Sequence, residues 1–185
     1  MIFQRSIKNK VSAIGVGLHS GKKVRIILKP AIENSGIIFK RTDTKVPIEI
    51  KVEPKAVKET QLSTTIGKGK FKISTVEHLM SALCASGVDN ILIEVDGSEI
   101  PIMDGSSISF VYLIKSAVVC EQLKFKKFAV IKDEIKISDG EKFAKFEPYK
   151  GFLVDFTIDF PHPAFKKENS RVEIDFFKDS YVNNI

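Results

Sequence analysis

The sequence predicts an α+β fold built as a two-layer sandwich, and three observations lead to this prediction. Short segments alternate apolar and polar residues as half-buried strands do, and two segments repeat apolar residues at helical spacing. Strand patterns then return in the last third of the chain. The order of strands, helix, strand and helix is typical of a layered α+β domain with an antiparallel or mixed sheet.

The earliest strand signals flank a glycine-rich segment. Residues 24–28 and 46–52 each carry Val, Ile or Leu at every second position, which predicts strands with one buried face. Residues 15–21 contain three glycines and predict a loop before the first of these strands. They are not a dinucleotide-binding motif, because no helical pattern follows them. Residues 67–70 (Gly-Lys-Gly-Lys) predict a hairpin turn between two further strands.

Residues 74–85 predict the first helix. Apolar residues at helical spacing predict a stripe that faces the core, namely Val76, Leu79, Met80 and Leu83. At about 100° per residue, His78 points away from this stripe and shares its side with Ser81, Ala82 and Ala85. A solvent-facing side usually carries charges, so we expect another element or a ligand against these small residues.

A strand, a loop and a second helix follow. Residues 90–95 predict the strand, and residues 101–107 predict a loop whose Asp104, Ser106 or Ser107 caps the helix. The helix itself is predicted by apolar residues at helical spacing, namely Phe110, Leu113, Ile114 and Ala117. The first domain is therefore expected to span residues 1–121.

A second domain is predicted over residues 127–185, after a charged linker at 121–127. Its strand patterns lie near residues 131–137, 143–146, 152–160 and 172–176. A turn, a strand and a proline recur in both domains, but no helical pattern follows in the second one. We therefore expect a chain truncated inside a repeated unit, with an uncovered apolar sheet face through which it self-associates. The alternative is that a partner subunit covers this sheet face.

Composition excludes several classes of protein. The chain has 185 residues, of which 43% are hydrophobic and 28% are charged, so disorder is not its main state. Its apolar runs are far shorter than the about 20 residues that a membrane span needs, and its first residues lack the apolar core of a signal peptide. We expect a cytoplasmic protein. Cys84 and Cys120 lie in apolar patterns read as helical, which predicts buried, reduced thiols.

The net charge of +6 raises the question of nucleic-acid binding. Only four of the 29 basic residues are arginine, and the lysines are scattered with little aromatic interleaving. Base reading and bidentate phosphate contacts favour arginine, so we expect a solvated lysine-rich surface and no nucleic-acid partner. A non-catalytic lysine-rich nucleic-acid-binding module is the alternative class.

Glu77 and His78 are the acid and imidazole pair with the most suggestive setting. Near a helix start, both side chains can reach a site where free N–H groups favour an anion. An imidazole can bind zinc while a neighbouring carboxylate deprotonates the bound water. The same residues also fit a capping box, in which Glu77 reaches back to the Ser74 N–H and His78 is a core histidine. Spacing alone favours the capping box, and it predicts plain loop residues at His19 and His162.

Four segments carry a resemblance to a known family. They are residues 15–22 (Gly-Val-Gly-Leu-His-Ser-Gly-Lys), 73–79 (Ile-Ser-Thr-Val-Glu-His-Leu), 100–106 (Ile-Pro-Ile-Met-Asp-Gly-Ser) and 155–160 (Asp-Phe-Thr-Ile-Asp-Phe). In order and spacing the chain resembles the UDP-3-O-acyl-N-acetylglucosamine deacetylases, the zinc amidases that commit Gram-negative bacteria to lipid A synthesis. The resemblance implies a β-α-α-β sandwich repeated twice, with the second copy incomplete here.

The resemblance also implies roles for individual residues. It makes His78 a Zn²⁺ ligand, Glu77 the general base, and Leu62 and Ser63 part of the substrate cleft. His19 matches a loop histidine close to the metal. Residues near the UDP moiety are implied at three positions of the second domain, namely Lys142, Asp159 and Phe160.

The implied reaction is zinc-dependent hydrolysis of the N-acetyl group of UDP-3-O-acyl-N-acetylglucosamine. The family is expected to be monomeric. Its later His-Lys-x-x-Asp motif, which supplies two zinc ligands, has no counterpart in the sequence. We therefore expect that this chain alone binds zinc weakly and has little activity, because a catalytic zinc generally needs three protein ligands.

Overall fold

The chain divides into two compact units, residues 1–126 and 127–185. The structure is a computed structural model that describes residues 2–158, 171–176 and 178–181. Within these residues it holds many strands and two helices, so the α+β class predicted from the sequence is confirmed.

The first unit contains ten strands and two helices among its described residues. The strands are β1 (Phe3–Ile7), β2 (Val11–Val16), β3 (Lys23–Pro30), β4 (Ile37–Arg41), β5 (Ile48–Lys51), β6 (Val57–Glu59), β7 (Thr65–Lys68), β8 (Phe71–Ile73), β9 (Ile91–Val95) and β10 (Val119–Phe125). The helices are α1 (Glu77–Ala85) and α2 (Ile108–Ser116), and a 3-10 turn spans Pro54–Ala56.

The main layer is a mixed sheet with the order β2-β3-β9-β4-β5. Neighbouring strands are antiparallel except β4 and β9, which are parallel. Alternation along the strands sends one set of side chains inward, so that Leu28, Ile93 and Phe39 stand in register across three strands with no exposed surface. The alternating pattern read from residues 24–28 is therefore confirmed as one buried face.

The two helices form the second layer. They pack against each other, and α2 also contacts β2. Their buried residues are Leu79, Ala82 and Leu83 of α1, and Phe110, Val111 and Ile114 of α2. The buried arc of α1 is wider than one stripe because this helix also packs against α2. Ala82, expected on the side of His78, is therefore in the core, while Met80 is only half-buried.

Two loop predictions need adjustment. The three glycines of residues 15–21 do not all lie in a loop, because Gly15 belongs to β2. The turn at residues 67–70 is confirmed as the hairpin between β7 and β8, and Gly69 takes the positive φ of 59° that favours glycine. These two strands and β6 form a small antiparallel sheet.

The segment predicted as a charged linker is a strand for most of its length. β10 pairs antiparallel with β1, with Arg5 opposite Glu121, and their side chains form an ion pair at 3.3 Å. The prediction was wrong because charged residues alternate along an edge strand as readily as along a loop. Cys120 lies in this strand, not in a helix, and is partly buried, whereas Cys84 of α1 is exposed. Both are free thiols, but neither is the buried residue that was expected.

Among the residues described, the elements of the second unit are two strand pairs. Its strands are β11 (Ile135–Asp139), β12 (Lys142–Phe146), β13 (Leu153–Thr157) and β14 (Arg171–Asp175). β11 pairs with β12 and β13 pairs with β14, both antiparallel. Most of the large apolar side chains on these strands are exposed. In neither unit is any described helix long and apolar enough to cross a membrane.

Candidate active site at the start of helix α1

The chain enters α1 through a strained junction at residues 74–76. Ser74 is held on both sides by main-chain bonds, because its N–H donates to Ser98 O at 3.0 Å and its O accepts the Ile100 N–H at 3.0 Å. Thr75 then takes a positive φ of 57° while only 2% exposed. A β-branched residue rarely adopts this conformation, so the surrounding bonds must hold it there. The junction fixes the direction in which α1 begins.

Glu77 is the first residue of α1, and its carboxylate does not cap the helix. Its Oε2 accepts the Thr64 N–H at 3.1 Å, and the Ser74 N–H is bonded elsewhere. The cap residue is Val76, with no side-chain capping bond. The capping box that the spacing favoured is therefore wrong, because the Glu77 carboxylate bonds Thr64, thirteen positions earlier in the chain, and not Ser74.

The bond from Thr64 brings a second predicted segment to the helix start. Thr64 O also accepts the Val76 N–H at 3.4 Å, so this loop is tied to the junction at two points. Just before it, Leu62 has a positive φ of 64° and is 86% exposed, and Ser63 is half-buried. Leu62 therefore combines an exposed apolar side chain with a backbone conformation that residues other than glycine rarely adopt.

His78 follows Glu77 on α1 and is half-buried. His19 lies in the loop after β2, where its side chain is exposed and its N–H donates to Glu99 Oε1 at 2.9 Å. The same oxygen accepts the Thr75 hydroxyl at 3.1 Å. A single carboxylate oxygen of Glu99 therefore joins the backbone of His19 to the Thr75 hydroxyl.

Sequence reasoning missed Glu99 and Thr64, the residues that tie these segments together. Neither belongs to a periodic pattern, and each acts on residues distant in sequence. The one usable signal was Gly17, where a side-chain carbon would collide with the Glu99 carboxylate. A required glycine indicates a close approach of the backbone, but it does not say which residue approaches.

The remaining predicted residues belong to the second unit. Lys142 is the first residue of β12 and is exposed. Asp159 and Phe160 lie outside the described residues, as does His162. The structure therefore leaves the implied roles of these residues as predictions.

The implied zinc ion requires a cluster of ligating side chains. Across residues 2–158, 171–176 and 178–181, no three His, Cys, Asp or Glu side chains come together as a metal site would require. A catalytic zinc generally takes three protein ligands, so the described residues do not by themselves fit the ion. His78 would supply one ligand.

The first unit is thus a two-layer α+β domain that presents a carboxylate and an imidazole at a helix start, beside a loop that carries the exposed Leu62. The family model described as UDP-3-O-acyl N-acetylglycosamine deacetylase matches residues 4–185, nearly the entire sequence. The chain belongs to this family.

Individual relatives are also similar along the full chain. It is 50% identical over 185 residues to the UDP-3-O-acyl-N-acetylglucosamine deacetylase of Methylococcus capsulatus. The proteins of the same name from Cellvibrio japonicus and Thioalkalivibrio sulfidiphilus are 49% and 47% identical over 185 residues. In each case all of this chain is covered but only 61% of the relative's length.

Proposed function

We propose that this chain contributes the Glu77 and His78 half of a site that deacetylates UDP-3-O-acyl-N-acetylglucosamine. In the proposed reaction, water attacks the acetamide carbonyl carbon and the C–N bond breaks. Acetate and the free amine are the products. The same reaction is proposed to take place in the cytoplasm, as a step toward lipid A.

The observation that carries this proposal is the fixed position of the half-buried Glu77 at the start of α1. The Thr64 N–H holds Oε2, so the carboxylate has a defined orientation. We assign Oε1 as the atom that takes the proton from the attacking water. A general base must be held within hydrogen-bond reach of the proton that it removes, and a rigid attachment to α1 and to the loop of Thr64 meets this need.

The neighbouring residues are assigned positioning and binding roles. Leu62 and Ser63, tied to the helix start through Thr64, line the substrate cleft in this proposal. Lys142 would meet the pyrophosphate, and a phenylalanine such as Phe160 beside Asp159 would stack on uracil. These second-unit roles depend on the motif resemblance alone.

Zinc is proposed as the cofactor, with His78 as one ligand and the others supplied from outside the described residues. When bound, zinc lowers the pKa of a water molecule and polarises a carbonyl. We expect the 185-residue chain by itself to bind zinc weakly and below one ion per chain. Competition with a chelator, in the chain and in His78→Ala, measures this. Tight stoichiometric zinc that is lost in His19→Ala or His162→Ala would contradict the expectation.

The reaction is tested in a fusion that replaces the matching residues of the Methylococcus capsulatus relative with this chain. Acetate release from UDP-3-O-acyl-N-acetylglucosamine is measured in the fusion and in its Glu77→Gln variant. We expect a fall in kcat of about 10²–10⁴, the usual contribution of general base catalysis. Unchanged turnover in Glu77→Gln would refute the role of Glu77.

Glu94→Gln is the matched control. This substitution makes the same change of charge and shape as Glu77→Gln. The Glu94 side chain, however, forms an ion pair with Lys29 at 2.6 Å on the sheet. We expect turnover in this variant to equal that of the parent fusion. An equal loss in both variants would indicate a general effect of charge and not of Glu77.

A further inference from the structure

Glu99 is a buried carboxylate to which the proposed reaction assigns no role. It lies just after β9 and is only 3% exposed. Oε1 accepts the His19 N–H and Oε2 accepts the Ser20 N–H, both at 2.9 Å. The Thr75 hydroxyl donates to Oε1 at 3.1 Å. One side chain therefore bonds two segments that are more than fifty positions apart in the sequence.

The loop is shaped to receive this carboxylate. Gly17 is buried, and a side-chain carbon there would collide with Glu99 Oε2 and with the Ser20 hydroxyl. Gly17 N–H also bonds Lys22 O at 3.0 Å, and Gly21 N–H bonds Gly17 O at 3.0 Å. The loop is thus closed by its own main chain around the point where Glu99 enters.

The second partner of Glu99 is the strained residue before α1. A positive φ at a β-branched residue costs on the order of 1–3 kcal/mol and persists only when surrounding bonds fix it. Thr75 is fixed by its hydroxyl bond to Glu99 and by the main-chain bonds of Ser74 to Ser98 and Ile100. Glu77 and His78 follow two and three residues later. Glu99 is therefore connected to the start of α1 through Thr75.

The charge state of Glu99 agrees with this bonding. Burial opposes ionisation, but the bonds from the His19 N–H, the Ser20 hydroxyl and N–H, and the Thr75 hydroxyl together lower the pKa of this carboxyl below its ordinary value. The group is ionised at neutral pH. Only a carboxylate offers acceptors at both oxygens, whereas an amide would turn an NH₂ group toward one of the loop N–H donors.

We propose that Glu99 is a positioning residue of the candidate active site, which holds the His19 loop against the junction from which Glu77 and His78 project. This inference rests on the proposed function, because only that proposal makes the site an active site. The geometric part stands on the hydrogen bonds alone. Glu99 touches no reacting atom and acts through Thr75 and the loop.

The first test reads the geometry by NMR in the 185-residue chain, which contains only three histidines. We expect Glu99→Gln to shift the imidazole Cε1–Hε1 resonances of both His19 and His78. Asp89→Asn is the matched control, because Asp89 also accepts a main-chain N–H, from Arg5 at 2.9 Å. Unmoved resonances in Glu99→Gln, or equal shifts in both variants, would overturn the proposal.

A milder pair of variants keeps the test decisive if Glu99→Gln fails to fold. Thr75→Ser retains the hydroxyl that donates to Glu99, and Thr75→Val removes it. We expect His78 to keep its resonance position in Thr75→Ser and to shift in Thr75→Val. Identical spectra in the two variants would show that the hydroxyl bond does not set the helix start.

A pH titration tests whether one carboxylate accepts both loop N–H groups. In the unsubstituted chain, the amide resonances of His19 and Ser20 should titrate together with one midpoint below the ordinary glutamate value. The transition should vanish in Glu99→Gln. Independent midpoints for the two amides would overturn the proposal.

Kinetics in the fusion separate this inference from the proposed function. We expect Glu99→Gln to lower kcat at least tenfold with a smaller effect on KM, and Asp89→Asn to change neither. If Glu77→Gln retains full turnover, the proposed function fails while the NMR results still decide whether Glu99 orders the site. If the histidine resonances move and kcat does not, Glu99 is a structural contact and the positioning role is refuted.

Discussion

The two units of this chain show the same strand patterns and opposite burial. All fully buried apolar side chains of the described residues lie in the first unit, from Ile7 to Ala117. On the strands of the second unit, side chains such as Phe143 and Phe156 are exposed by 64% and 58%. In the first unit, two helices cover one sheet face, whereas the elements found in the described part of the second unit are two strand pairs.

This difference shows that the conditions for pairing two strands are weaker than the conditions for forming a buried core. Alternating apolar residues and a turn suffice to pair β11 with β12, and Gly140 takes a positive φ of 58° between them. A strand pair without a covering layer buries little apolar surface, and isolated hairpins are marginal in water. The residues that meet at the start of α1 lie in the unit that has both layers.

The largest expected contrast between the units is in hydrogen exchange. Amides of β9 open only when the core opens, so we expect them to exchange at least about a thousandfold more slowly than those of β11 and β12. Exchange of the 185-residue chain followed by mass spectrometry measures both regions in one sample. Equal protection in the two regions would mean that a second layer covers β11 and β12 in solution.

Paired core substitutions give the next largest effect. Phe39 has no exposed surface and stands in register with Ile93, so Phe39→Ala should lower the free energy of unfolding by about 3–5 kcal/mol. Phe143→Ala removes a ring that is largely exposed and should change it by less than about 0.5 kcal/mol. Urea denaturation is followed at β9 for Phe39→Ala and at β11 and β12 for Phe143→Ala. A large loss in Phe143→Ala would show that this ring packs in solution.

The sequence predicted most elements of both units because alternation and helical spacing report local burial. The strands around Ile26, Ile50 and Ile93, the hairpin at Gly69 and both helices appeared close to their predicted places. The prediction from the sequence failed at residues 121–125, because these residues form a strand by pairing with β1, more than a hundred positions away. Periodicity along the chain does not contain such a partner.

The candidate site was predictable in its residue types and not in its contacts. The resemblance singled out Glu77, His78 and Leu62, and the structure ties their segments together through Thr64. The capping box failed because two competing bonds, Thr64 to Glu77 and Ser74 to Ser98, are both non-local. Glu99 was missed for the same reason.

A smaller effect is expected from the charge of Glu99, with a definite dependence on pH. Its pKa is lowered in the folded state, so its contribution to stability is complete above the unfolded glutamate pKa of about 4.3 and disappears as the pH falls through the lower folded value. At pH 7, Glu99→Gln should cost about 1.5–3 kcal/mol, the range for a hydrogen bond to a charged group. The difference between the two proteins should shrink in acid.

Asp43 is the control for that measurement. Its pKa is also lowered, chiefly by the hydrogen bond from Arg41, so the unsubstituted chain loses stability in acid at both groups. Urea denaturation at a series of pH values in Asp43→Asn should still show the Glu99 transition. A stability difference for Glu99→Gln that is constant with pH would show that its charge is not what holds the loop.

The smallest expected effect is the loss of one surface ion pair in each unit. Lys29 and Glu94 meet at 2.6 Å on the mixed sheet, with side chains 33% and 17% exposed, so Glu94→Gln should lower the free energy of unfolding by about 0.2–1 kcal/mol. Arg171 binds both carboxylate oxygens of Asp155, at 2.8 and 2.9 Å, but both side chains lie open to water. Solvent and salt screen such a pair, so Asp155→Asn should give no measurable change.

Denaturation in low and high salt distinguishes the two cases, because the Glu94 effect should shrink with salt. A larger loss in Asp155→Asn than in Glu94→Gln would mean that the β13–β14 pair is shielded from water, and would reverse the contrast between the units.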